Sequence, residues 1–309
     1  MIRIARQKHA IVSLMGFSAK RGAVSRENLC KVAFFYCKYL LFVIYYFKID
    51  VRFHKNGVYK AMFNIKEWIQ KEKKETAILL RCIPATVVTL FVVSVICMNL
   101  LANKTLLQTE IIALDGGILI SWLSFMCMDI ITKHFGPKAS NKISVLAAGI
   151  NLLTCLIFYV ASAIPSNASD YTAFNGIFGG TWFILLGSTI AFLSSAVINN
   201  FLNFTIGMAF RKNPNGKLVY AMQTYISTFI GQFLDNFIFS LIVFVGFAPI
   251  FWGGFHWTVL QCAMCALTGA VAELIMEILF SPIGYRIAQK WRANAVGKEY
   301  LDYIGKGNR

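Results

Sequence analysis

The chain has 309 residues, of which 57% are hydrophobic and only 14% are charged. This composition is typical of a polytopic membrane protein and excludes an ordinary soluble domain, whose water-facing surface needs more charge. The net charge of +16 does not indicate nucleic-acid binding, because the basic residues are concentrated in segments that separate long apolar stretches.

Residues 1–79 form a strongly basic region that is expected to be cytoplasmic. The first 26 residues resemble a signal peptide only loosely, and we favour a solvated tail held to anionic lipids by its Lys and Arg side chains. Residues 32–47 are apolar except for Lys38, which is short for a membrane span. We favour an interfacial helix there, and a seventh span in which Lys38 snorkels to the interface stays open.

Six apolar segments follow, each about the length that a helix needs to cross a bilayer. They cover residues 80–102, 111–131, 142–164, 181–210, 222–247 and 256–283. Strands of a β-barrel would be about half as long and would alternate in polarity. The sequence therefore predicts an all-α polytopic protein, with a six-helix membrane domain over residues 80–292 and a tail over residues 293–309.

The distribution of Lys and Arg orients these helices, because short cytoplasmic loops collect basic residues. Basic residues cluster before the first span and after the second, fourth and sixth spans. The loops after the first, third and fifth spans contain Lys104 as their single basic residue. Both termini are therefore predicted to be cytoplasmic, in a multi-pass protein of the plasma membrane.

Patterns that would indicate catalysis are missing from the sequence. It contains no phosphate-binding loop for ATP, no HExxH zinc motif and no G-x-S-x-G nucleophile elbow. Cys262 and Cys265 have CxxC spacing, but no second pair or His cluster completes a metal site, so helix packing explains them better. We expect no enzyme activity and no cofactor, and any uphill transport would use an ion gradient or a separate energising subunit.

The fifth apolar segment carries the polar run STFIGQFLDN, residues 227–236. Residues three or four apart share a helix face, so Ser227, Gly231 and Asp235 lie on one stripe with Gln232 beside it. An ionisable side chain at membrane depth costs roughly 2.5 to 3.5 kcal/mol and usually faces the interior of a helix bundle. This run is therefore expected to form one wall of a substrate site.

The fourth segment carries a matching stripe that includes Ser195 and Asn199. Two such stripes facing each other would line a polar pocket, with Trp122 as a stacking residue. For the Ser and Gly positions we favour ordinary close helix packing, and for the Trp residues a place in the interfacial aromatic belt is the alternative. The predicted substrate-binding residues are Asp235, Gln232, Asn199, Ser195, Ser227 and Trp122.

Four further residues are candidates for ion coupling or for a hinge. Asp129 and Lys133 lie at the end of the second segment, where a salt-bridged hinge and a binding role stay equally open. Glu273 and Glu277 lie one helical turn apart in the sixth segment. Either one of them is linked to a proton, or both pair with the buried face of another helix.

Several of these motifs resemble the queuosine precursor transporter family, also called the vitamin uptake transporter family. The matching segments are DIITKHFGPKASNK at residues 129–142, GSTIAF at residues 187–192, STFIGQFLDN at residues 227–236, and Pro282 as the end of the sixth helix. The resemblance covers about residues 80–292. It implies a six-helix fold similar to the substrate-binding components of energy-coupling-factor transporters, and import of 7-deazaguanine precursors of queuosine.

That resemblance implies roles for two residues. Asp235 would accept hydrogen bonds from ring N–H groups, and Gln232 would both donate and accept. Two alternatives stay open: a binding subunit for another vitamin-like solute that works with a separate ATPase, and a non-transport membrane protein whose basic tail recruits a partner.

Overall fold

The computed structural model describes residues 65–305, except for residues 103, 110–112, 166–173, 176–177, 179–181, 211–215 and 252–255. The predicted interfacial segment at residues 32–47 lies outside these residues. The helices are α1 (Ile65–Cys82), α2 (Ala85–Leu101), α3 (Ile118–Phe135), α4 (Pro137–Ala163), α5 (Trp182–Ala209), α6 (Lys217–Ser240), α7 (Ala248–Phe251), α8 (Val259–Ala293) and α9 (Lys298–Tyr303). A π-helix, Leu241–Phe247, joins α6 to α7.

The predicted all-α polytopic fold is confirmed. Within the described residues, α3, α4, α5, α8 and the continuous segment Lys217–Ile250 are each long and apolar enough to cross a membrane. Helices α1 and α2 supply a sixth candidate, but they are bent by 104°. The bend lies at Pro84, which has no backbone N–H with which to continue α1. The cytoplasmic position of the termini stays a prediction.

The predicted start of the second span, at residue 111, is wrong. An antiparallel β-hairpin lies there instead, formed by β1 (Thr105–Gln108) and β2 (Ala113–Asp115), and α3 begins only at Ile118. The Asp115 carboxylate accepts a hydrogen bond of 2.7 Å from the Gly117 backbone N–H, which closes a turn before the helix. Burial raises the pKa of Asp115 to about 6, against the backbone hydrogen bonds that favour its ionised form.

The predicted end of the sixth span is also wrong, because α8 continues through Pro282 to Ala293. A proline inside a helix leaves the carbonyl four residues earlier without its backbone donor. Here that carbonyl belongs to Ile278, and the Ser281 hydroxyl donates to it at 3.4 Å. The side chain thus supplies a hydrogen bond that allows the helix to continue.

Helix α3 occupies the centre of the bundle. Of its 18 residues, 61% are buried. In the most apolar 18-residue stretch of α4 only 28% are buried, so α4 faces outward along most of its length. Helix α3 packs against α2, α4, α5 and α8, while α6 lies between α5 and α8. The residues of α3 that are fully buried include Phe125, Met128 and Ile131. Any internal site of this bundle must therefore lie along α3, α5, α6 and α8.

One amide ties three of these helices together. The Oδ1 atom of Asn200 on α5 accepts hydrogen bonds from the Thr132 hydroxyl of α3 at 2.9 Å and from the Ser140 hydroxyl of α4 at 3.0 Å. Its Nδ2 atom donates to Asn141 Oδ1 of α4 at 2.6 Å. Asn200 is completely buried, so these bonds satisfy a polar group that would be costly to leave unpaired.

An ion-pair cluster joins α1 to the start of α4. Lys138 and Lys142 lie 2.7 to 3.1 Å from carboxylate oxygens of Glu72 and Glu75. The Tyr300 hydroxyl of α9 also donates to Glu75, at 3.2 Å. Helix α1 is therefore held against the bundle by ion pairs, at the same end as α9.

Candidate functional site

The polar stripes of α5 and α6 face each other across a very short helix separation. A Cβ atom built on Gly231 would lie 3.0 Å from Asn199 Cβ and 2.9 Å from Phe125 Cε1. One end of this contact is closed by Asn203, whose Nδ2 donates to Ser227 Oγ at 3.4 Å. The structure thus brings Ser227 and Asn199 to the same interface, where Gly231 allows the approach.

Gln232 and Asp235 carry polar atoms without partners at this interface. Gln232 is completely buried, and neither its Nε2 nor its Oε1 has a hydrogen-bond partner among the described residues. The Oδ1 atom of Asp235 is likewise buried and unpaired within the described chain, and the Ser195 hydroxyl lies beside its carboxylate. A buried amide that makes no hydrogen bond costs about 1 to 3 kcal/mol for each polar group, so this pair is suited to a polar ligand.

Phe125 is a residue of this interface that the sequence analysis missed. Its ring edge lies against Gly231, the residue that precedes Gln232 in α6, and the side chain is completely buried. Helical spacing offered a signal, because Ser121, Phe125 and Asp129 are four residues apart and share one face of α3. With 27 Phe residues in the chain, an aromatic side chain alone carried no such signal.

Asp129 lies inside the bundle, on the same face of α3. Its Oδ1 accepts from Asn199 Nδ2 at 3.0 Å, and its Oδ2 accepts from Thr228 Oγ1 at 3.5 Å. Lys133, one turn further along α3, donates instead to the Gln223 side chain of α6. The amide of Gln223 in turn donates to the Asn203 carbonyl at 2.9 Å. Asp129 is therefore held by amide and hydroxyl groups of α5 and α6, next to the predicted substrate-binding stripe.

The two glutamates of α8 have different surroundings. Glu273 accepts from the Ser121 hydroxyl of α3 at 2.5 Å and from Asn236 Nδ2 of α6 at 3.5 Å, so it bridges three helices. Glu277 is completely buried, and neither of its oxygens has a hydrogen-bond partner among the described residues. Both glutamates face α3, where the stripe of Ser121, Phe125 and Asp129 runs.

Trp122 lies at the contact between α3 and α8. Its indole stacks on Phe280, with ring centroids 3.9 Å apart and an angle of 12° between the ring planes. The indole N–H donates to the Leu119 carbonyl at 2.9 Å. One ring face of Trp122 is thus covered by Phe280, whereas Phe125 lies directly against Gly231.

Acceptor groups are in excess at this interface. Two carboxylates, Asp129 and Asp235, are interleaved with the amides of Asn199 and Gln232. No group of three or more potential metal ligands occurs within the described ranges. Carboxylates accept hydrogen bonds from ring N–H groups, and amides donate to ring carbonyls as well as accepting. The arrangement is therefore suited to a polar organic molecule.

The spanning helices and this buried polar interface define a multi-pass membrane protein of the transporter class. The model of a family described as "Putative vitamin uptake transporter" matches residues 115–287, which is more than half of the chain. The chain belongs to this family of membrane transporters, which are not enzymes, and it is a multi-pass protein of the plasma membrane.

A curated relative supports the same assignment. The chain is 27% identical over 158 residues to a protein of Bacillus subtilis (strain 168) named "Probable queuosine precursor transporter". The aligned region covers 50% of this chain and 66% of that relative, which is slightly less than two thirds of the relative's length. No solved structure matches the chain.

Proposed function

We propose that this transporter imports a small planar heterocycle, a 7-deazaguanine precursor of queuosine, and that Gln232 and Asp235 bind its hydrogen-bonding edge. The observation that carries the proposal is the completely buried Gln232 side chain, whose donor and acceptor atoms have no partner in the described residues. The name of the Bacillus subtilis relative supports the ligand class.

The polar edge of a 7-deazaguanine matches what these two side chains offer. That edge presents adjacent N–H donors and a carbonyl acceptor. The Asp235 carboxylate accepts from the N–H groups, and the Gln232 amide donates to the carbonyl while its oxygen accepts a further N–H. Buried polar groups that stay unpaired without the correct ligand reject analogues that lack these atoms, and this gives the site its specificity.

The other predicted residues support this pair. Ser195 lies beside the Asp235 carboxylate and orients it. Asn199 and Ser227 hold the facing stripes together through Asp129 and Asn203. Trp122 would have to separate from Phe280 to offer that ring face for stacking on a planar ligand.

Uptake of radiolabelled 7-deazaguanine by cells that express the full chain, and that have no uptake of their own, tests the proposal. Asp235→Asn keeps the size of the side chain but removes the charge. Hydrogen bonds to charged groups contribute about 1.5 to 3 kcal/mol, so we expect the variant to lose about 10- to 100-fold of its uptake at low substrate concentration. Gln232→Leu is expected to lose uptake to a similar extent.

Asp302→Asn is the matched control, because Asp302 is exposed on α9 and far along the chain from the site. Membrane fractions are probed for equal amounts of each variant. Wild-type uptake by Asp235→Asn would refute the assignment of the pocket. Uptake of a different vitamin, with none of 7-deazaguanine, would refute the assignment of the substrate.

The same assay in liposomes addresses the energising subunit. Uptake by the purified chain alone would favour a self-sufficient transporter. Uptake only after addition of a separate ATPase would favour a binding subunit.

A further inference from the structure

Helix α8 packs against α3, and each helix places one carboxylate in the interior of the bundle, Glu277 from α8 and Asp129 from α3. Both side chains are completely buried. Asp129 is held by Asn199 and Thr228, whereas both oxygens of Glu277 have no hydrogen-bond partner in the described residues. A charge on Glu277 would be very unfavourable, because its buried oxygens receive no hydrogen bond and a second carboxylate faces the same bundle interior.

Further polar groups surround the pair. Helix α6 contributes the hydroxyls of Tyr220 and Thr224, which are buried and lie beside the carboxylates. Helix α3 also places Cys127 in the electrostatic surroundings of Glu277, and Lys133 in those of Asp129. The Lys133 ammonium donates to Gln223 rather than to either carboxylate. Among the described residues, no Lys or Arg forms an ion pair with either carboxylate.

We propose that Glu277 binds one proton opposite Asp129 and that this proton drives substrate import, an inference that rests on the proposed function. The proton forms a bond to one Glu277 oxygen when the pair is open to one side of the membrane. It leaves to water on the other side. Glu277 and not Asp129 takes the proton, because Asp129 already accepts hydrogen bonds from the Asn199 amide and the Thr228 hydroxyl, whereas the Glu277 oxygens accept none among the described residues.

Asn199 connects this proton site to the substrate site. Its amide donates to Asp129, and its side chain packs against Gly231, the neighbour of Gln232. A change of charge at the pair is thus transmitted through one buried side chain to the residue beside the ligand. A proton suits the pair better than Na⁺, because Asn199 turns its N–H donor and not its oxygen toward Asp129.

The test uses the purified full chain in liposomes, with radiolabelled 7-deazaguanine as the probe. Two assays are compared: exchange of internal for external substrate at equal pH, and accumulation driven by an imposed pH gradient. One proton for each substrate permits up to about tenfold accumulation for each pH unit. We expect wild type to perform both reactions, and Glu277→Gln to exchange substrate but to accumulate none. Glu67→Gln, an exposed position on α1, is the matched control.

Gradient-driven accumulation by Glu277→Gln would overturn the inference, and so would wild-type accumulation that follows a Na⁺ gradient and ignores pH. Absence of exchange by wild type would instead refute the proposed substrate. A second measurement does not depend on the substrate: the infrared band of a protonated carboxyl group in the purified protein. A weaker band in Glu277→Gln, but not in Glu67→Gln, is expected, and identical bands in all three proteins would overturn the inference.

Discussion

Replacement of Gly231 by alanine tests how closely α5 and α6 approach at the candidate site. The added methyl group would lie 2.9 Å from Phe125 Cε1 and 3.0 Å from Asn199 Cβ. Carbon atoms in good contact are about 3.5 to 4.0 Å apart, so both neighbours must move by about 0.5 Å or more. Both are completely buried, and the surrounding bundle restricts that movement.

The size of the effect follows from two opposing contributions. Alanine favours a helix over glycine by about 1 kcal/mol, whereas overpacking of a buried site costs about 1 to 3 kcal/mol. Gly149→Ala on α4 carries only the first contribution, because no described atom outside the local α4 backbone lies within 4 Å of the corresponding Cβ position. Both variants gain the helix propensity, so Gly231→Ala should be less stable than Gly149→Ala by about 1 to 3 kcal/mol.

Thermal unfolding of the purified proteins in detergent, followed by intrinsic fluorescence, measures this difference. With about 2 to 4 °C for each kcal/mol in a chain of this size, the melting temperatures should differ by about 2 to 12 °C. Uptake of 7-deazaguanine should fall in Gly231→Ala, because Asn199 is displaced from Asp129, and should be unchanged in Gly149→Ala. Equal melting temperatures and equal uptake for the two variants would show that the helices do not approach as closely as described.

Two further variants test regions outside the site. Because the pKa of Asp115 is raised from 3.8 to about 6, the folded state binds its proton more tightly than the unfolded state, and stability falls as pH rises between these values. Asp115→Asn removes this titration, so the melting temperature of the variant relative to wild type should rise between pH 4 and pH 7. The rise should correspond to at most about 3 kcal/mol. A difference that does not change with pH would contradict the raised pKa of Asp115. Glu75→Gln should lower the melting temperature by the equivalent of about 1 to 3 kcal/mol, because it leaves the nearly buried Lys142 with one carboxylate fewer. Glu67→Gln on the same helix is the control and should leave the melting temperature unchanged.

The membrane fold could be predicted from the sequence because bilayer thickness sets the length of an apolar helix. The ends of the helices could not. Residues 111–114 are apolar and run into the second segment, but a turn closed by Asp115 and the hairpin before it delay the start of α3. Pro282 suggested the end of a helix, yet the hydroxyl of its neighbour Ser281 satisfies the freed carbonyl. Both outcomes depend on single hydrogen bonds that no periodic pattern encodes.

The stripes of the site could be predicted in the same way, because helical periodicity determines which residues share a face. Ser195 and Asn199 lie on one such stripe, and Ser227 and Asp235 lie on another. The helix that packs against both stripes cannot be identified from this periodicity, because it depends on how the whole bundle packs. The sequence therefore left Asp129 between a hinge and a binding role, and only the packing of α3 against α5 brings it to Asn199.

The amide of Asn200 has a consequence for the order of synthesis. Thr132 leaves the ribosome 68 residues before Asn200, its hydrogen-bond partner. At about 5 to 20 residues per second, Thr132 waits roughly 3 to 14 seconds for the side chain that accepts its hydrogen bond. During that interval the Ser140 hydroxyl has the Met128 carbonyl within its own hairpin, at 3.3 Å. The insertion machinery must therefore retain this hairpin near water or protein until the next helix arrives, and an early release into lipid would leave Thr132 and Asn141 without partners.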